Sequence, residues 1–147
     1  MSRSETVEGC QIILVNENGA VLLQLRDDKP WIPFPNMWAI PGGMMEPGES
    51  AQACIEREVR EELGVTLPTG SVRFLSRAHR SYGIEDTFTA PCEADPRDLT
   101  LTEGQSVEWF LRRQITGMHL AYEDNAVLED FFRGRLGTSP TTSPGGY

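Results

Sequence analysis

The sequence lacks the features of several large protein classes. Its 147 residues contain no apolar run close to the ~18 that a membrane span requires, so insertion into a membrane is not expected. The three cysteines, Cys10, Cys54 and Cys92, are odd in number and show no CxxC spacing, which argues against a disulfide framework or a zinc knuckle. We therefore expect reduced, buried thiols.

Positive charge is also scarce. Only 13 Lys and Arg residues stand against 22 Asp and Glu, and the formal net charge of -9 disfavours a nucleic-acid polymer as partner. The polar, acidic start of the chain lacks the basic and apolar segments of a signal peptide, so a cytoplasmic location is expected. An acidic protein can still bind a small anion where a metal inverts the local field.

The composition and length are those of one ordinary globular domain. Hydrophobic residues make up 39% of the chain and charged residues 24%. A chain of this length can bury a hydrophobic core without disulfide or metal cross-links. We expect a single domain over residues 1–136. Residues 137–147, rich in Thr, Ser, Pro and Gly, are expected to form a flexible tail.

The residue pattern predicts several strands and two helices. The Asn-Gly signal at Asn18-Gly19 indicates a hairpin turn between strands at 7–15 and 20–26. An irregular loop is expected over 27–36, followed by a short strand at 37–40 that Pro41-Gly42-Gly43 breaks. Further strands are predicted at 71–81, 85–92 and 107–111, with a turn at 81–83, and an amphipathic helix at 123–134.

The first helix carries a dense group of glutamates. Ser50 as N-cap and Gly64 as stop predict a helix over 50–63, with an apolar stripe that includes Ile55 and Val59. Three carboxylates, spaced three and four residues apart, lie beside that stripe or on the same flank of the helix. Their negative charges repel each other unless a cation neutralises them. A hard divalent metal with oxygen ligands is the natural partner. The three carboxylates belong to Glu58, Glu61 and Glu62.

Over residues 43–65 the spacing resembles the Nudix box at every defining position. The positions are Gly43, Glu49, Arg57-Glu58-Val59, Glu61-Glu62 and Gly64-Val65. The resemblance to the Nudix hydrolase family covers about residues 7–134. It implies an α/β fold, an α/β/α sandwich with a mixed sheet. It also implies a pyrophosphohydrolase that acts on a nucleoside diphosphate linked to another moiety.

The resemblance also implies a metal site and a division of roles. Mg²⁺, with Mn²⁺ as the alternative, would be held by Glu58, Glu61 and Glu62, with the carbonyl of Gly43 as a further ligand. Glu58 or Glu61 is the candidate base, and sequence does not separate base from ligand. Arg57 would orient the glutamates by charge-assisted hydrogen bonds. Family members often dimerise, so a homodimer is a further expectation.

Outside the box, each candidate site residue has a structural interpretation beside the functional one. Glu103, in Glu103-Gly104-Gln105, resembles a distal metal ligand of MutT-type members, and an acidic turn residue is an equal alternative. Asn125 resembles their base-reading Asn, although helix capping by Asp124 or Asn125 is favoured. Arg26 resembles a phosphate-contacting Arg, with ordinary surface charge as the alternative. Trp31 and Phe34 could stack on a base, as could Trp38, for which core packing is favoured.

The substrate stays open at this point. Glu103 and Asn125 suggest MutT-like cleavage of a nucleoside triphosphate, whereas the loop at 27–36 is equally compatible with a nucleotide sugar or ADP-ribose. A nucleotide-sensing module without hydrolysis is disfavoured because no charged position of the box is lost. An isopentenyl diphosphate isomerase is disfavoured because Cys54, inside the box helix, is not a persuasive nucleophile.

Overall fold

The strands of the protein form one mixed sheet. The structure is a computed structural model that describes residues 6–136. The strands are β1 (Gly9–Val15), β2 (Val21–Leu25), β3 (Trp38–Ala39), β4 (Gly42–Met44), β5 (Arg73–Arg80), β6 (Gly83–Pro91) and β7 (Ser106–Phe110). The helices are α1 (Ala51–Leu63), α2 (Arg112–Ile115) and α3 (Asp124–Phe132), with a 3₁₀ helix at Pro96–Asp98.

β1 is the strand around which the sheet is built. The strand order is β3-β2-β1-β6-β5, with β4 paired to β1 and β7 paired to β2. β1 runs parallel to β6 along its whole length, from the Gly9–Glu85 pair to the Val15–Pro91 pair. The other pairings are antiparallel. The predicted mixed sheet is therefore confirmed.

The two faces of β1 point into two apolar cores. Ile12 and Leu14 are fully buried in a cluster that contains Val59 of α1. Ile13, between them, lies in a second cluster with Leu128 of α3. Because side chains alternate across a strand, one strand serves both layers. Helices cover both sheet faces, as an α/β/α sandwich requires.

The hairpin and the turn between β5 and β6 form where the sequence predicts them. The Asn16 side-chain oxygen accepts hydrogen bonds from the backbone N–H of Asn18 and of Ala20, both at 3.0 Å. Gly19 adopts φ +79°, a conformation that costs glycine little. The turn between β5 and β6 falls at Ser81 and Tyr82.

Four elements differ from the sequence-based expectations. Pro41-Gly42-Gly43 was expected only to end a strand, yet Gly42 and Gly43 lie in β4, which pairs with β1 at residues 9–11. The four-residue α2 and the 3₁₀ helix are too short to leave a periodic pattern. The residue before α3 is Glu123, which makes no side-chain capping bond, so the expected cap by Asp124 or Asn125 is wrong.

The predicted tail at 137–147 lies outside the described residues. Within residues 6–136, no helix is long and apolar enough to cross a membrane.

The close packing of β4 on β1 gives a prediction for Gly42. A Cβ atom at Gly42 would lie 2.2 Å from the carbonyl oxygen of Cys10, a backbone atom that cannot move aside without disturbing the strand pair. We expect Gly42→Ala to lower the free energy of unfolding by about 1–3 kcal/mol, as overpacking does. Urea unfolding measures this. Gly117→Ala is the control, because the nearest atom to its Cβ would be 3.9 Å away. Equal midpoints for the two variants would contradict the close approach.

Candidate functional site

Helix α1 carries the Nudix-box glutamates, and both its ends are fixed as predicted. The Ser50 hydroxyl oxygen accepts a hydrogen bond from the backbone N–H of Ala53 at 3.1 Å. At the other end Gly64 adopts φ +73°, and its N–H donates to the carbonyl of Arg60 at 3.0 Å. These caps set the register of the helix, which brings Glu58 and Glu62 to the wall of a cavity.

Arg57 lies at the centre of a carboxylate network. Its guanidinium binds Glu49 through two nitrogens, with Nε at 2.6 Å and Nη2 at 3.0 Å from the carboxylate oxygens. Its Nη1 donates to Glu58 at 3.0 Å and to Glu61 at 3.2 Å. The planar guanidinium of Arg57 therefore holds Glu58 in place and offsets the repulsion between the neighbouring carboxylates.

The Arg57–Glu49 contact also connects the loop before α1 to the helix. Hydrogen bonds from Arg57 lower the pKa of Glu49 to about 2, and the same contact raises the pKa of Arg57. The Glu49 oxygen that accepts from Arg57 Nη2 also accepts from the backbone N–H of Glu46 at 3.0 Å. Glu49 thus joins the loop backbone to Arg57.

Glu62 is the most buried of the box glutamates. Burial raises its pKa to about 9, and a hydrogen bond to Glu58 and the nearby charges of Glu58 and Glu103 act in the same direction. Only 9% of the residue is exposed. A buried carboxyl with acidic neighbours retains a proton until a cation compensates its charge.

Glu103 reaches Glu62 because the loop before β7 caps the end of α1. The N–H of Thr102 donates to the carbonyl of Glu62 at 3.2 Å, and its hydroxyl donates to the carbonyl of Glu61 at 2.9 Å. The carbonyl of Glu103 accepts a hydrogen bond from the Gln24 side chain at 2.6 Å. The next residue, Gly104, has φ +84°, and a Cβ there would meet the Gln24 side chain at 2.6 Å.

Gly43 brings the β4 backbone against the carboxylate of Glu58. A Cβ at this position would lie 2.3 Å from the Glu58 carboxyl carbon, so only glycine permits the observed approach. Gly43, Glu58, Glu62 and Glu103 all line the same cavity.

Glu61 is not part of this group in the structure. Its side chain is 58% exposed, points to Arg57 and does not line the cavity. Correspondingly, no three His, Cys, Asp or Glu side chains among residues 6–136 form a ready-made metal cage. The predicted ligand trio is therefore divided, with Glu58 and Glu62 at the cavity and Glu61 in solvent.

The residues at the cavity nevertheless fit a hard cation. All of the donors are oxygens, and Glu62 is a buried carboxyl whose raised pKa marks an uncompensated acidic environment. Glu58, Glu62 and Glu103, together with the Gly43 carbonyl, are the groups of this chain that could hold Mg²⁺ or Mn²⁺.

A second group of residues lines the same cavity of about 560 Å³. The Tyr82 and Tyr122 rings lie 5.1 Å apart, and the Arg26 guanidinium stands 5.2 Å from the Tyr122 ring centre. Asp124 is 1% exposed; its Oδ2 accepts from the N–H of Ile40 at 2.9 Å, whereas its Oδ1 has no hydrogen-bond partner within residues 6–136. Burial raises the pKa of Asp124 to about 7.

Of the predicted substrate contacts, the structure brings only Arg26 to the cavity. Trp31 is 77% exposed and lies outside the cavity lining. Phe34 packs against Tyr122, with ring centres 4.6 Å apart, and does not line the cavity either. The Asn125 amide accepts from Leu120 N–H at 2.8 Å and donates to the Met118 carbonyl at 3.0 Å, so it holds the segment before α3.

The sequence reading missed Tyr122, Asp124 and Gln24 as cavity residues. Asp124 was considered only as a helix cap. Its signal would have been an acidic residue at the edge of a buried helix face, since Val127 and Leu128 follow on the same helix. Tyr122 and Gln24 stand in no motif that marks them.

Comparison with known proteins identifies the family. The model of the NUDIX domain matches residues 7–129, which is most of the chain. The chain belongs to the NUDIX family, as the box spacing predicted, and the predicted enzyme class, a Nudix pyrophosphatase, is confirmed.

Similar proteins include characterised and uncharacterised members. The chain is 30% identical over 120 residues to nucleoside triphosphatase NudI from an Enterobacter species, covering 73% of this chain and 84% of that protein. It is 33% identical over 93 residues to an uncharacterised Nudix hydrolase of Listeria innocua, covering 61% of this chain and 53% of that protein.

Solved structures share the fold. A MutT protein from Methanosarcina mazei superposes with a TM-score of 0.68 at 24% identity, covering 90% of this chain and 98% of that one. The NUDIX domain of Shewanella oneidensis NrtR, solved with ADP ribose, gives a TM-score of 0.71 at 18% identity, covering 90% of each chain. These similarities confirm the predicted Nudix sandwich.

The buried carboxyl of Asp124 gives a prediction about pH. Its pKa is about 7 in the folded protein against an ordinary value of 3.8, mainly because of burial. Its contribution to stability is therefore complete below about pH 4 and is lost as the pH rises through 7. We expect the melting temperature of Asp124→Asn, relative to the parent, to increase from pH 4 to pH 8.

The charged groups that act on Asp124 are Glu85, which raises its pKa, and Arg80 and Arg26, which lower it. Asp130→Asn, on the partly exposed side of the same helix, is the matched control. A melting-temperature difference for Asp124→Asn that stays constant with pH, as expected for the control, would contradict the assignment.

Proposed function

We propose that this Nudix pyrophosphohydrolase cleaves a phosphoanhydride bond of a nucleoside triphosphate by attack of water on phosphorus, with Mg²⁺ as cofactor. The observation that carries the proposal is that Glu58, Glu62 and Glu103 line one cavity, that the charges of Glu58 and Glu103 act on Glu62, and that Arg57 holds Glu58. Three carboxylates around one space repel a phosphate unless a cation lies between them.

The cation would be held by the carboxylates of Glu58, Glu62 and Glu103 and by the carbonyl of Gly43. Bound there, Mg²⁺ would supply a positive charge that attracts and polarises the phosphates and lowers the pKa of a nearby water. Glu61 would join the ligands only if its exposed side chain rotated away from Arg57. Mn²⁺ has the same preference for oxygen donors and is the alternative ion.

Between the two candidate bases, the structure supports Glu58. Glu58 lines the cavity, whereas Glu61 does not. The side chain of Glu58 is 13% exposed and is held by Arg57 at 3.0 Å, so its carboxylate has a fixed position from which to accept a proton. Arg57 acts by positioning this carboxylate.

Recognition of the nucleoside would fall to the second group of cavity residues. Tyr82 and Tyr122 present aromatic faces for a base, and the unpartnered Oδ1 of Asp124 can accept a hydrogen bond from an N–H of the ligand. Arg26 contacts the Tyr122 ring and lines the same cavity, so it would contact the ligand beside that ring. Trp31, Phe34 and Asn125, proposed from the sequence, would contact substrate only after a rearrangement.

The similarity to NudI, named a nucleoside triphosphatase, favours a nucleoside triphosphate over the other candidates. The similarity to the domain solved with ADP ribose is at the level of the fold. A nucleotide sugar or ADP-ribose is therefore the alternative substrate class.

Glu62→Gln tests the metal site. The amide keeps the shape of the side chain and removes its charge, so we expect turnover to fall by orders of magnitude, about 10²-fold or more. Mg²⁺ and Mn²⁺ should also raise the melting temperature of the parent protein and not that of the variant. Turnover and thermal unfolding with and without the metal measure both effects.

Glu56→Gln is the matched control for this experiment. It makes the same chemical change on the same helix, at a residue that accepts a hydrogen bond from Gln52 on the exposed side. Unchanged turnover and an unchanged metal effect in Glu62→Gln would remove Glu62 from the metal site.

The substrate class is tested with a panel of nucleoside triphosphates, nucleotide sugars, dinucleoside polyphosphates and ADP-ribose. We expect the highest kcat/KM with a nucleoside triphosphate, and ¹⁸O-labelled water would then identify the attacked phosphorus. Preference for ADP-ribose or a sugar nucleotide would replace the substrate assignment. Binding without any phosphate-containing product, with either metal, would favour a nucleotide-sensing module.

The cytoplasmic location, the homodimer and the absence of a nucleic-acid partner stay predictions from the sequence.

A further inference from the structure

Two of the three cysteines meet beneath the glutamate site. The sulfur atoms of Cys10, in β1, and Cys54, in α1, lie 2.7 Å apart, although the residues are 44 positions apart in sequence. Both residues are buried, at 2% and 0% exposure, and both are free thiols. A disulfide bond is about 2.05 Å long, so the two sulfurs need to approach by less than 1 Å to form one.

Of the two cysteines, only Cys10 lines the cavity. Cys10 lines the cavity, and its thiol donates to the carbonyl of Gly43 at 3.7 Å. Cys54 does not line the cavity; its thiol donates to the carbonyl of Met44 at 3.5 Å, and Arg57 Nη2 stands 3.8 Å from its sulfur. Cys10 is therefore the thiol that a small oxidant in the cavity meets first. Burial raises the pKa of both thiols, so we expect the reaction to be slow and to need excess peroxide.

We propose that Cys10 and Cys54 form a peroxide-reactive thiol pair that closes a reversible disulfide between β1 and α1. Cys10 is the residue that is oxidised first, and Cys54 is the residue that resolves it. The inference concerns the thiols alone and does not depend on which nucleotide the cavity binds.

The chemistry balances with a hydroperoxide as the oxidant. The Cys10 sulfur attacks one peroxide oxygen, the O–O bond breaks, and the product is a sulfenic acid plus one water from hydrogen peroxide. The Cys54 sulfur then attacks the Cys10 sulfur, the S–O bond breaks, and the departing hydroxide takes the Cys54 proton to leave as a second water. Overall, two thiols are oxidised and one peroxide is reduced.

The disulfide would protect the site in two ways. It would tie α1, which carries Glu58 and Glu62, to the central strand of the sheet. It would also consume the sulfenic acid before a second peroxide converts it to sulfinic acid, which does not return to the thiol under ordinary reduction. Because the sulfurs already lie 2.7 Å apart, forming the bond requires them to approach by less than 1 Å.

Peptide mapping after treatment with excess hydrogen peroxide tests the pair. Trypsin places the three cysteines on separate peptides, Ser4–Arg26, Asp27–Arg57 and Ser81–Arg97. We expect the first two to be joined by a disulfide that a thiol reductant cleaves, and the Cys92 peptide to remain unlinked. The oxidised protein should melt roughly 5–10 °C higher than the reduced protein, as expected for a cross-link closing a loop of this size.

Four variants separate the roles of the cysteines. In Cys54→Ala, Cys10 should progress to a sulfinic acid that the reductant does not reverse. In Cys10→Ala, Cys54 should stay unmodified under the same treatment. Cys92→Ala is the matched control, and it should form the same disulfide as the parent. Cys54→Ser repeats the first test with a side chain that can still donate to Met44.

Specific results would overturn the proposal. If the Cys10 and Cys54 peptides stay unlinked in the parent protein, the two thiols are not a reactive pair. If Cys10 in the Cys54 variants is not oxidised beyond the level in the parent, Cys54 is not the resolving residue.

Discussion

The contact between the Arg57 guanidinium and its surrounding carboxylates is the interaction on which the site depends. Four glutamates lie within 4.0 Å of this one cation, and its side chain is only 15% exposed. Like charges at this density on a helix and its flanking loop would separate in the absence of a counter-charge. Arg57 joins the loop, through Glu49, to the helix position from which Glu58 faces the cavity. Because the Glu49 and Glu58 side chains are only 13% exposed, their contacts with Arg57 are less screened than ordinary surface pairs.

A second constraint is steric and depends on two glycines, which let the backbone approach neighbouring groups closely. Gly42 lets β4 approach β1, and Gly43 lets the same strand lie against the Glu58 carboxylate. On the other side, Thr102 binds the exposed carbonyls at the end of α1, and this places Glu103 next to Glu62. The site is therefore assembled by backbone contacts from strand β4 and from the loop before β7, while the glutamates themselves contribute mutual repulsion that a cation is needed to relieve.

Local patterns predicted most of the fold and the centre of the site. The caps at Ser50 and Gly64, the Asn16 hairpin and the alternation along β1 each depend on neighbours within a few residues, so sequence spacing is sufficient. The box predicted the family because its positions act together on one helix and its flanking loops. β4 was missed because two glycines next to a proline indicate a turn locally, and only the partner strand makes them extended.

By itself, the sequence determined helix α1, its caps, most of the strands and the family, because these follow from short-range spacing. Only the tertiary structure decided which side chains share the cavity. Glu103 joins Glu58 and Glu62 while Glu61 turns to solvent, and Asp124 faces the cavity while Asn125 holds a loop. It also brought Cys10 against Cys54. The physical reason is that these outcomes depend on the direction of side chains across distant elements, which loop conformation and packing fix and which residue spacing does not encode.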